Sequence, residues 1–380
     1  VTGVQTCALP ISAGVFLVAR SAALFSLAPM ASLTVALVGG ATAFFAATIG
    51  LKQWDIKKVL AYSTVSQLGY MFVGVGVGAY TAGVFHLVTH AFFKALLFLS
   101  SGSVIHAMSG EQDMRKMGGL KDYMPITFWT FVCGTLAIAG VPIFSGFFSK
   151  DEILWQTATS PLGGWPLYII GLLTAGMTAT YMGRLVVMTF LGKNRSSKHV
   201  REHLHESPLV MTIPLMILAV LATFGGFLGL PEVLGDLNYL DHVLHGIVPE
   251  SLGHGSHGME WALMAVSVCV GLGCLYLSKV LFLDKNEKQE TPLSAFLYHS
   301  WYLNEFYEAV LVRPLGRLAV FLWKVVDVLV IDGAVLLSAT ISRASGRRLR
   351  QIHTGRLEHY LAALLVGMLV LLAVLVTKVI

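Results

Sequence analysis

Long apolar runs, separated by short charged or turn-rich stretches, dominate the chain. A helix needs about 20 apolar residues to cross the hydrocarbon core of a bilayer. Runs of this kind lie at about 12–28, 31–51, 58–79, 82–108, 125–158, 164–191, 208–229, 260–283 and 358–378. The pattern predicts an all-α fold, a polytopic bundle of transmembrane helices.

The run 125–158 differs from the others in length. As one helix it would extend for about 50 Å, which exceeds a hydrocarbon core of about 30 Å, yet it is too short for two crossings. Gly140 and Gly146 lie in its middle, with a proline between them. We expect a broken helix here, with Lys150 and Asp151 near the start of its second half.

A second exception is the segment at about 294–350, where charges recur on a helical period among apolar residues. This pattern predicts a long amphipathic helix lying along a membrane or on other helices. We therefore divide the chain into a membrane domain (13–283), a linker with the amphipathic helix (284–357) and a final crossing (358–380). Residues 1–12 have no signal-peptide pattern and resemble translated sequencing adapter, so we interpret them as a non-native segment.

Composition supports a membrane protein. Only 12% of the residues are charged and the mean hydropathy is +0.73, whereas about a quarter of a soluble domain is charged, so a soluble enzyme is excluded. Lysines and arginines concentrate on alternate connections and in the amphipathic segment, which the positive-inside rule places in the cytoplasm, with the C-terminus outside. This distribution explains the net charge of +5 without a nucleic-acid partner. The four cysteines lack the spacing of a disulfide framework, an iron–sulfur cluster or a zinc site.

The strongest candidate chemistry lies in the run FHLVTHAFFKALLFLSSGS, where His86, His90 and Lys94 are spaced i, i+4 and i+8. On a helix these side chains fall within a sector of about 80° and extend over about 12 Å. Ionisable groups inside a membrane are costly and mark ion or proton pathways. Histidine titrates near neutral pH and a lysine can exchange its ammonium proton, so the stripe predicts a proton relay.

Other interpretations of these residues remain open. The histidine spacing also suits a metal ligand pair, Lys94 could extend its ammonium group to an interface, and the stripe could serve hydrogen bonding alone. For Lys150 and Asp151 the alternative is an interfacial turn with solvated charges. A connection near 230–259 contains several histidines that a metal could bind, although a solvated loop is the simpler interpretation; these are His242, His245, His254 and His257.

Four segments carry a resemblance to a known family: DIKKVLAYSTVSQLGYMFVGVG, FHLVTHAFFKALLFLSSGSVIHAM, DMRKMGGL and GFFSKDEIL. From about residue 13 to its end, the chain resembles the subunit L family of NADH-quinone oxidoreductases (respiratory complex I), whose mitochondrial counterpart is NADH dehydrogenase subunit 5. A lateral amphipathic helix and one last crossing, at 317–350 and 358–378 here, distinguish subunit L within the antiporter-like superfamily.

The resemblance implies roles for individual residues. Lys94 corresponds to the lysine that passes protons between half-channels, His86 and His90 to bridging histidines, and Lys150 to the broken-helix lysine of an exit half-channel. Asp151 stands beside this lysine. The resemblance also implies no redox cofactor in this chain, because NADH, FMN, iron–sulfur clusters and quinone are handled by other subunits of the complex.

The resemblance further implies a setting. It places the protein in a bacterial inner membrane, with the lateral helix on the cytoplasmic side against neighbouring antiporter-like subunits. In the family, an upstream repeat carries a membrane glutamate and a partner lysine that load the pathway. This repeat is not in the sequence, so we expect the chain to hold the second half of the pathway and not to translocate protons alone.

Three other functions are compatible with parts of this pattern. A subunit of a cation/proton antiporter complex has the same core motifs, and the lateral helix argues against it. The corresponding subunit of a membrane-bound hydrogenase, or of a plastoquinone-reducing relative, would use the same pumping chemistry with another electron donor. A purely structural membrane scaffold would not depend on the ionisable stripe at all.

Overall fold

The computed structural model describes residues 12–230, 238–253, 255–283 and 291–379. Within these ranges the chain is helical and contains no β-strand beyond isolated bridges, which confirms the all-α prediction. It divides into two compact units, Val1–Trp301 and Tyr302–Ile380. The segment predicted to be non-native lies outside the described residues, except for residue 12.

The first unit consists of thirteen helices in its described part. They are α1 (12–20), α2 (Ala22–Ser26), α3 (Pro29–Gly50), α4 (Ile56–Gly76), α5 (Tyr80–Ala107), α6 (Pro125–Ala139), α7 (Ser145–Thr159), α8 (Trp165–Phe190), α9 (Lys198–Glu202), α10 (Leu209–Phe224), α11 (Tyr239–Leu244), α12 (His257–Phe282) and α13 (Pro292–Tyr298).

Six helices of the described chain are long and apolar enough to cross a membrane. Five belong to the first unit: α3, α5, α8, α10 with the turn that follows it, and α12. The predicted run 12–28 is not one span, because the chain divides at Ser21 into the two short helices α1 and α2. Helix α4 is long but more polar than a typical span, because lysines open it and hydroxyl and amide side chains follow along its length.

Helix α4 lies against α3, α5, α7 and α8, and small residues allow its closest contact. A Cβ atom added to Gly69 would lie 2.6 Å from the amide nitrogen of Ala43, and one added to Gly76 would lie 2.4 Å from that of Ala36. Helices pack this closely in membranes through stripes of small residues. At the N-terminus of α4, Asp55 caps the helix by accepting hydrogen bonds from the next amide groups.

The predicted break in 125–158 is present. Helix α6 ends where Gly140 adopts a left-handed conformation (φ 77°), and Ile143 has φ 81° in the connection to α7. A left-handed backbone is costly for a branched residue and is found where surrounding structure enforces it. The chain then returns so tightly that a Cβ on Gly146 would lie 2.0 Å from the Ala137 carbonyl oxygen.

In the segment 291–301 the structure differs from the predicted amphipathic helix. Helix α13 is a separate element of the first unit, held by a hydrogen bond from Gln53 Nε2 to the Tyr298 carbonyl (2.9 Å). The ring of Trp301 meets that of Phe45 at 5.1 Å between centroids. Left-handed backbone at Ser300 and Trp301 ends the helical path here.

The second unit contains the long helix that the charge pattern predicts. It runs through α14 (Leu303–Tyr307), a π-helical turn (Glu308–Val312), α15 (Arg313–Phe321), a second π-helical stretch (Leu322–Asp332) and α16 (Gly333–Ile352). Helix α17 (Leu357–Val379) follows and is apolar enough to cross a membrane. The long helix and α17 both expose large apolar side chains in this chain. In a membrane protein such surface faces lipid or other subunits.

The turn between α6 and α7 supports a first prediction. Replacing Gly146 by alanine forces a Cβ against backbone that cannot move away, so we expect a loss of about 1–3 kcal/mol or more in stability. Gly102→Ala is the matched control, because nothing lies within 4 Å of its added Cβ. Thermal unfolding of the purified complex should show a lower Tm for Gly146→Ala only. An unchanged Tm would mean that the close return of α7 onto α6 is not required.

Candidate functional site

The three ionisable residues of α5 lie together in the interior of the first unit. The exposed fractions of His86, His90 and Lys94 are 1%, 6% and 4%. The two imidazole rings are 6.4 Å apart between centroids, and the ring of Phe93 touches both. The predicted polar stripe on one helix face is therefore present and buried.

Lys94 binds to helix α4. Its Nζ donates hydrogen bonds to Ser63 Oγ (2.7 Å) and to the Leu60 carbonyl (3.2 Å), and it lies 5.9 Å from the centre of the Phe98 ring. Ser63 Oγ also accepts a hydrogen bond from the hydroxyl of Tyr181 on α8 (2.9 Å). The amine is thus held within the protein, which argues against extension to an interface.

His86 connects three helices. Its Nδ1 lies 2.9 Å from Ser149 Oγ on α7, and its Nε2 lies 3.2 Å from Gln67 Oε1 on α4. Because an amide oxygen only accepts, Nε2 carries the proton in this arrangement, and Nδ1 faces the serine hydroxyl. Thr89 Oγ1 extends the chain with a 2.7 Å contact to Ser149 Oγ.

Helix α4 supplies a second polar stripe that the sequence analysis missed. Ser63, Gln67 and Tyr70 are spaced i, i+4 and i+7, and their exposed fractions are 0%, 0% and 1%. The stripe faces the ionisable residues of α5 and the lysine of α7. The signal in the sequence is the polar content of STVSQLGY within an otherwise apolar run. Uncharged residues of this kind are common in membrane helices, so the signal is weak.

Lys150 and Asp151 are buried on α7, with exposed fractions of 1% and 6%, which excludes the interpretation as a solvated turn. Lys150 Nζ donates to the Ile138 carbonyl of α6 (3.2 Å) and lies 5.1 Å from the centre of the Tyr70 ring. Asp151 points elsewhere, because its Oδ1 accepts a hydrogen bond from Ser267 on α12 (2.6 Å). These adjacent residues therefore face different partners and form no ion pair.

Several buried polar atoms along this site have no hydrogen-bond partner. They include His90 Nε2, Gln67 Nε2, Ser145 Oγ and Asp151 Oδ2. Such groups are rare in folded proteins and are normally satisfied by water. These atoms lie beside the hydrogen-bonded pairs of the site. A water-assisted proton path requires such an arrangement, because each transfer needs both a donor and an acceptor.

A further buried cation lies on α8. Arg184 of α8 is only 1% exposed, and its guanidinium lies 5.0 Å from the centre of the Trp54 ring and 5.8 Å from that of Phe282. It donates to the carbonyl groups of Gly50 and Gln53, at the C-terminal end of α3. A cation is favourable at this end of a helix dipole, so Arg184 joins α3, α8 and α12.

In the described part of the chain, no group of three or more histidine, cysteine, aspartate or glutamate side chains could hold a metal ion. His86 already binds serine and amide groups through both ring nitrogens. Of the loop histidines, His254 lies outside the described residues.

Comparison with known proteins places this site in a family. Residues 6–178 match the family described as "NADH:quinone oxidoreductase/Mrp antiporter, TM". They form a membrane domain of this family. With its spanning helices, the chain is a multi-pass membrane protein of the antiporter-like type. The match includes α4, α5 and α7, which position the ionisable residues.

Curated relatives extend the match along the chain. NAD(P)H-quinone oxidoreductase chain 5 of Picosynechococcus sp. is 42% identical over 92% of this chain and 57% of its own length. NADH-quinone oxidoreductase subunit L of Rhodobacter capsulatus is 37% identical over 95% of this chain and 61% of its own length. The chain thus spans about six-tenths of these relatives. The resemblance to the subunit L family is confirmed.

A solved structure shares the fold of this chain. A chain of the Mrp complex from Dietzia sp. aligns with 99% of this chain, with a TM-score of 0.62 and 24% identity, and the alignment covers 38% of that chain.

The contact between Lys94 and Ser63 supports a second prediction. In Ser63→Ala the buried amine loses a charge-assisted hydrogen bond, which should cost about 1.5–3 kcal/mol of stability. Adding Lys94→Met removes the amine, so the cost of Ser63→Ala should then fall to that of its remaining hydrogen bond with Tyr181. Thermal unfolding of both single variants and the double variant gives the coupling between the two residues. Ser101→Ala is the control, because that hydroxyl bonds only within its own helix. Additive effects of Ser63→Ala and Lys94→Met would contradict the contact.

Proposed function

We propose that the chain is part of a proton-translocating membrane-arm subunit of a respiratory NADH-quinone oxidoreductase. The observation that carries the proposal is the buried contact between two polar stripes, Ser63 and Gln67 on α4 against His86 and Lys94 on α5. Ionisable groups cost about 2.5–3.5 kcal/mol each at the centre of a membrane helix, so their alignment in one path favours a functional role.

The path has an order along the helices. Lys94 lies at one end, His90 and His86 follow along α5, and Ser149 leads from His86 to α7, which carries Lys150 and Asp151. Lysine ammonium and imidazole groups release and accept protons, while hydroxyl groups relay them by donating and accepting at once. In this proposal the five ionisable residues are the proton-carrying groups and the α4 side chains orient them.

The enzyme activity belongs to the whole complex. Relatives named as quinone oxidoreductase subunits support an assembly in which NADH is oxidised and quinone is reduced. We propose that NADH, FMN, iron–sulfur clusters and quinone are bound by other subunits. This chain contributes proton movement that is coupled to their electron transfer.

The proposed setting follows from charge and helix pattern. Basic connections face the cytoplasm of a bacterial inner membrane, and the C-terminus lies outside. The exposed apolar side chains along α15 and α16 fit a helix that packs against neighbouring antiporter-like subunits. Lipid covers the apolar faces of the spanning helices.

A cation/proton antiporter subunit is the second candidate, because the description of the matching family includes Mrp antiporters. The relatives at 42% and 37% identity are named as oxidoreductase subunits, and this favours the first proposal. Sodium dependence of transport in vesicles separates the two functions.

The central test is Lys94→Ala in the complete subunit within its assembled complex. We expect proton pumping into vesicles to fall by about 100-fold or more, because general acid–base groups contribute about 10²–10⁴. Lys198→Ala, an exposed change at the start of α9, is the control and should pump normally. Normal pumping and turnover in Lys94→Ala would support a structural scaffold instead.

The tail provides a separate test of the proposed partners. Truncating the complete subunit after Asp284 should weaken attachment to neighbouring membrane subunits, which co-purification in mild detergent measures. A shorter deletion, 358–380, keeps the amphipathic helix and should retain more of the neighbours. Complexes that purify whole without residues 294–380 would overturn the proposed role of the helix.

A further inference from the structure

A cavity of about 450 Å³ lies at one end of α7 and α12, beside the connection that contains α11. Its walls are rich in ionisable side chains: Glu152, Asp241, Glu250, Glu260, His245 and His257. We call this space the acidic vestibule. Carboxylates that line a concave surface concentrate cations from the surrounding water.

A second, smaller cavity lies deeper between α7 and α12. Its volume is about 10 Å³, close to the space that one water molecule occupies. Asp151, Glu152 and Glu260 contribute to its walls, and apolar side chains including Met264 complete them. Glu152, Trp155 and Glu260 also line the acidic vestibule, so the two cavities share these walls.

Asp151 is the deepest acid of this arrangement. It is 6% exposed; its Oδ1 accepts from Ser267, and its Oδ2 is buried without a hydrogen-bond partner. A buried carboxylate oxygen without a partner is costly unless water or a proton reaches it. This oxygen belongs to a residue that lines the small cavity, which places an acceptor next to a water-sized space.

The vestibule is held in place by Gln156 of α7. Its Nε2 donates to Glu152 Oε1 (2.9 Å) and lies 3.3 Å from Ser251 Oγ, while its Oε1 accepts from the Gly253 amide (3.1 Å). On the other wall, His257 Nδ1 lies 3.9 Å from Glu260 Oε2. Both glutamates that border the small cavity are therefore positioned by neighbouring side chains.

We propose that these cavities form the mouth of the proton path, with Glu260 of α12 and Glu152 of α7 passing protons between Asp151 and the aqueous phase. This inference rests on the proposed function and adds to it a route and two residues. It also assigns the side of the membrane on which the proton path from Asp151 opens, which is the side where α11 lies.

The proton step is simple and involves no electrons. A proton leaves the Asp151 carboxyl group for water in the small cavity, and that water passes a proton to the carboxylate of Glu260 or Glu152. The glutamate then releases its proton to the vestibule, and Asp151 returns to its carboxylate form. Asp151 and both glutamates line the small cavity, and a proton transfer of this kind needs a donor and an acceptor within hydrogen-bond reach, directly or through one water.

The test begins with access to the acidic vestibule in the resting, assembled complex. Cysteine is placed at Leu244, which lines the vestibule, and Cys7, Cys133, Cys269 and Cys274 are replaced by alanine. A membrane-impermeant cationic thiol reagent should label Leu244→Cys only from the face opposite the basic loops, and on the order of tenfold faster than an anionic reagent of similar size. Ser278→Cys, buried at the other end of α12, is the control and should not be labelled from that face.

The second arm tests the named acid. In the complete complex, Glu260→Gln should reduce the preference for the cationic reagent and lower proton pumping on the order of tenfold or more, whereas Glu260→Asp should retain most of the pumping. Glu202→Gln, an exposed change on α9, should pump normally.

Two results would overturn the proposal. One is labelling of Leu244→Cys from the basic face, or without preference for the cation; the other is full pumping in Glu260→Gln. Labelling is measured without turnover, so it succeeds or fails independently of the pumping function, which Lys94→Ala tests.

Discussion

A polar group that is buried inside a membrane must find its partner within the protein, because lipid offers none. The contact between Lys94 on α5 and Ser63 on α4 is the point at which this constraint acts most directly here. This contact requires α4 to carry polar residues on one face, whereas a spanning helix is normally apolar all round. The polar face in turn must be enclosed, and small residues such as Gly69 and Gly76 bring α3 close enough to do so.

The same constraint explains the broken helix. Ending α6 at Gly140 frees backbone carbonyl groups inside the protein, and Lys150 donates to one of these, that of Ile138. The return of the chain at Gly146 then places α7 where Ser149 reaches His86. One local arrangement thus combines the backbone strain at Ile143, the hydrogen bond of Lys150 and the contact of His86.

The sequence predicts the fold well because its strongest signals are long-range averages of hydropathy and charge. The stripe on α5 is also predictable, since spacing alone places His86, His90 and Lys94 on one face. Their partners are not, because Ser63 and Gln67 are identified only by which helix lies opposite. Likewise, adjacency suggests that Lys150 and Asp151 act as a pair, whereas successive helical residues point in directions about 100° apart and meet different helices.

The account depends on Lys94 carrying protons, and the protonation state of its amine measures this most directly. Solid-state NMR of the complete complex, with lysine labelled by ¹⁵N at Nζ and the signal assigned through Lys94→Gln, distinguishes ammonium from amine. We expect a neutral amine signal to appear during turnover with NADH and quinone and to disappear when turnover stops. An ammonium signal that is unchanged between resting and active complex would contradict the relay.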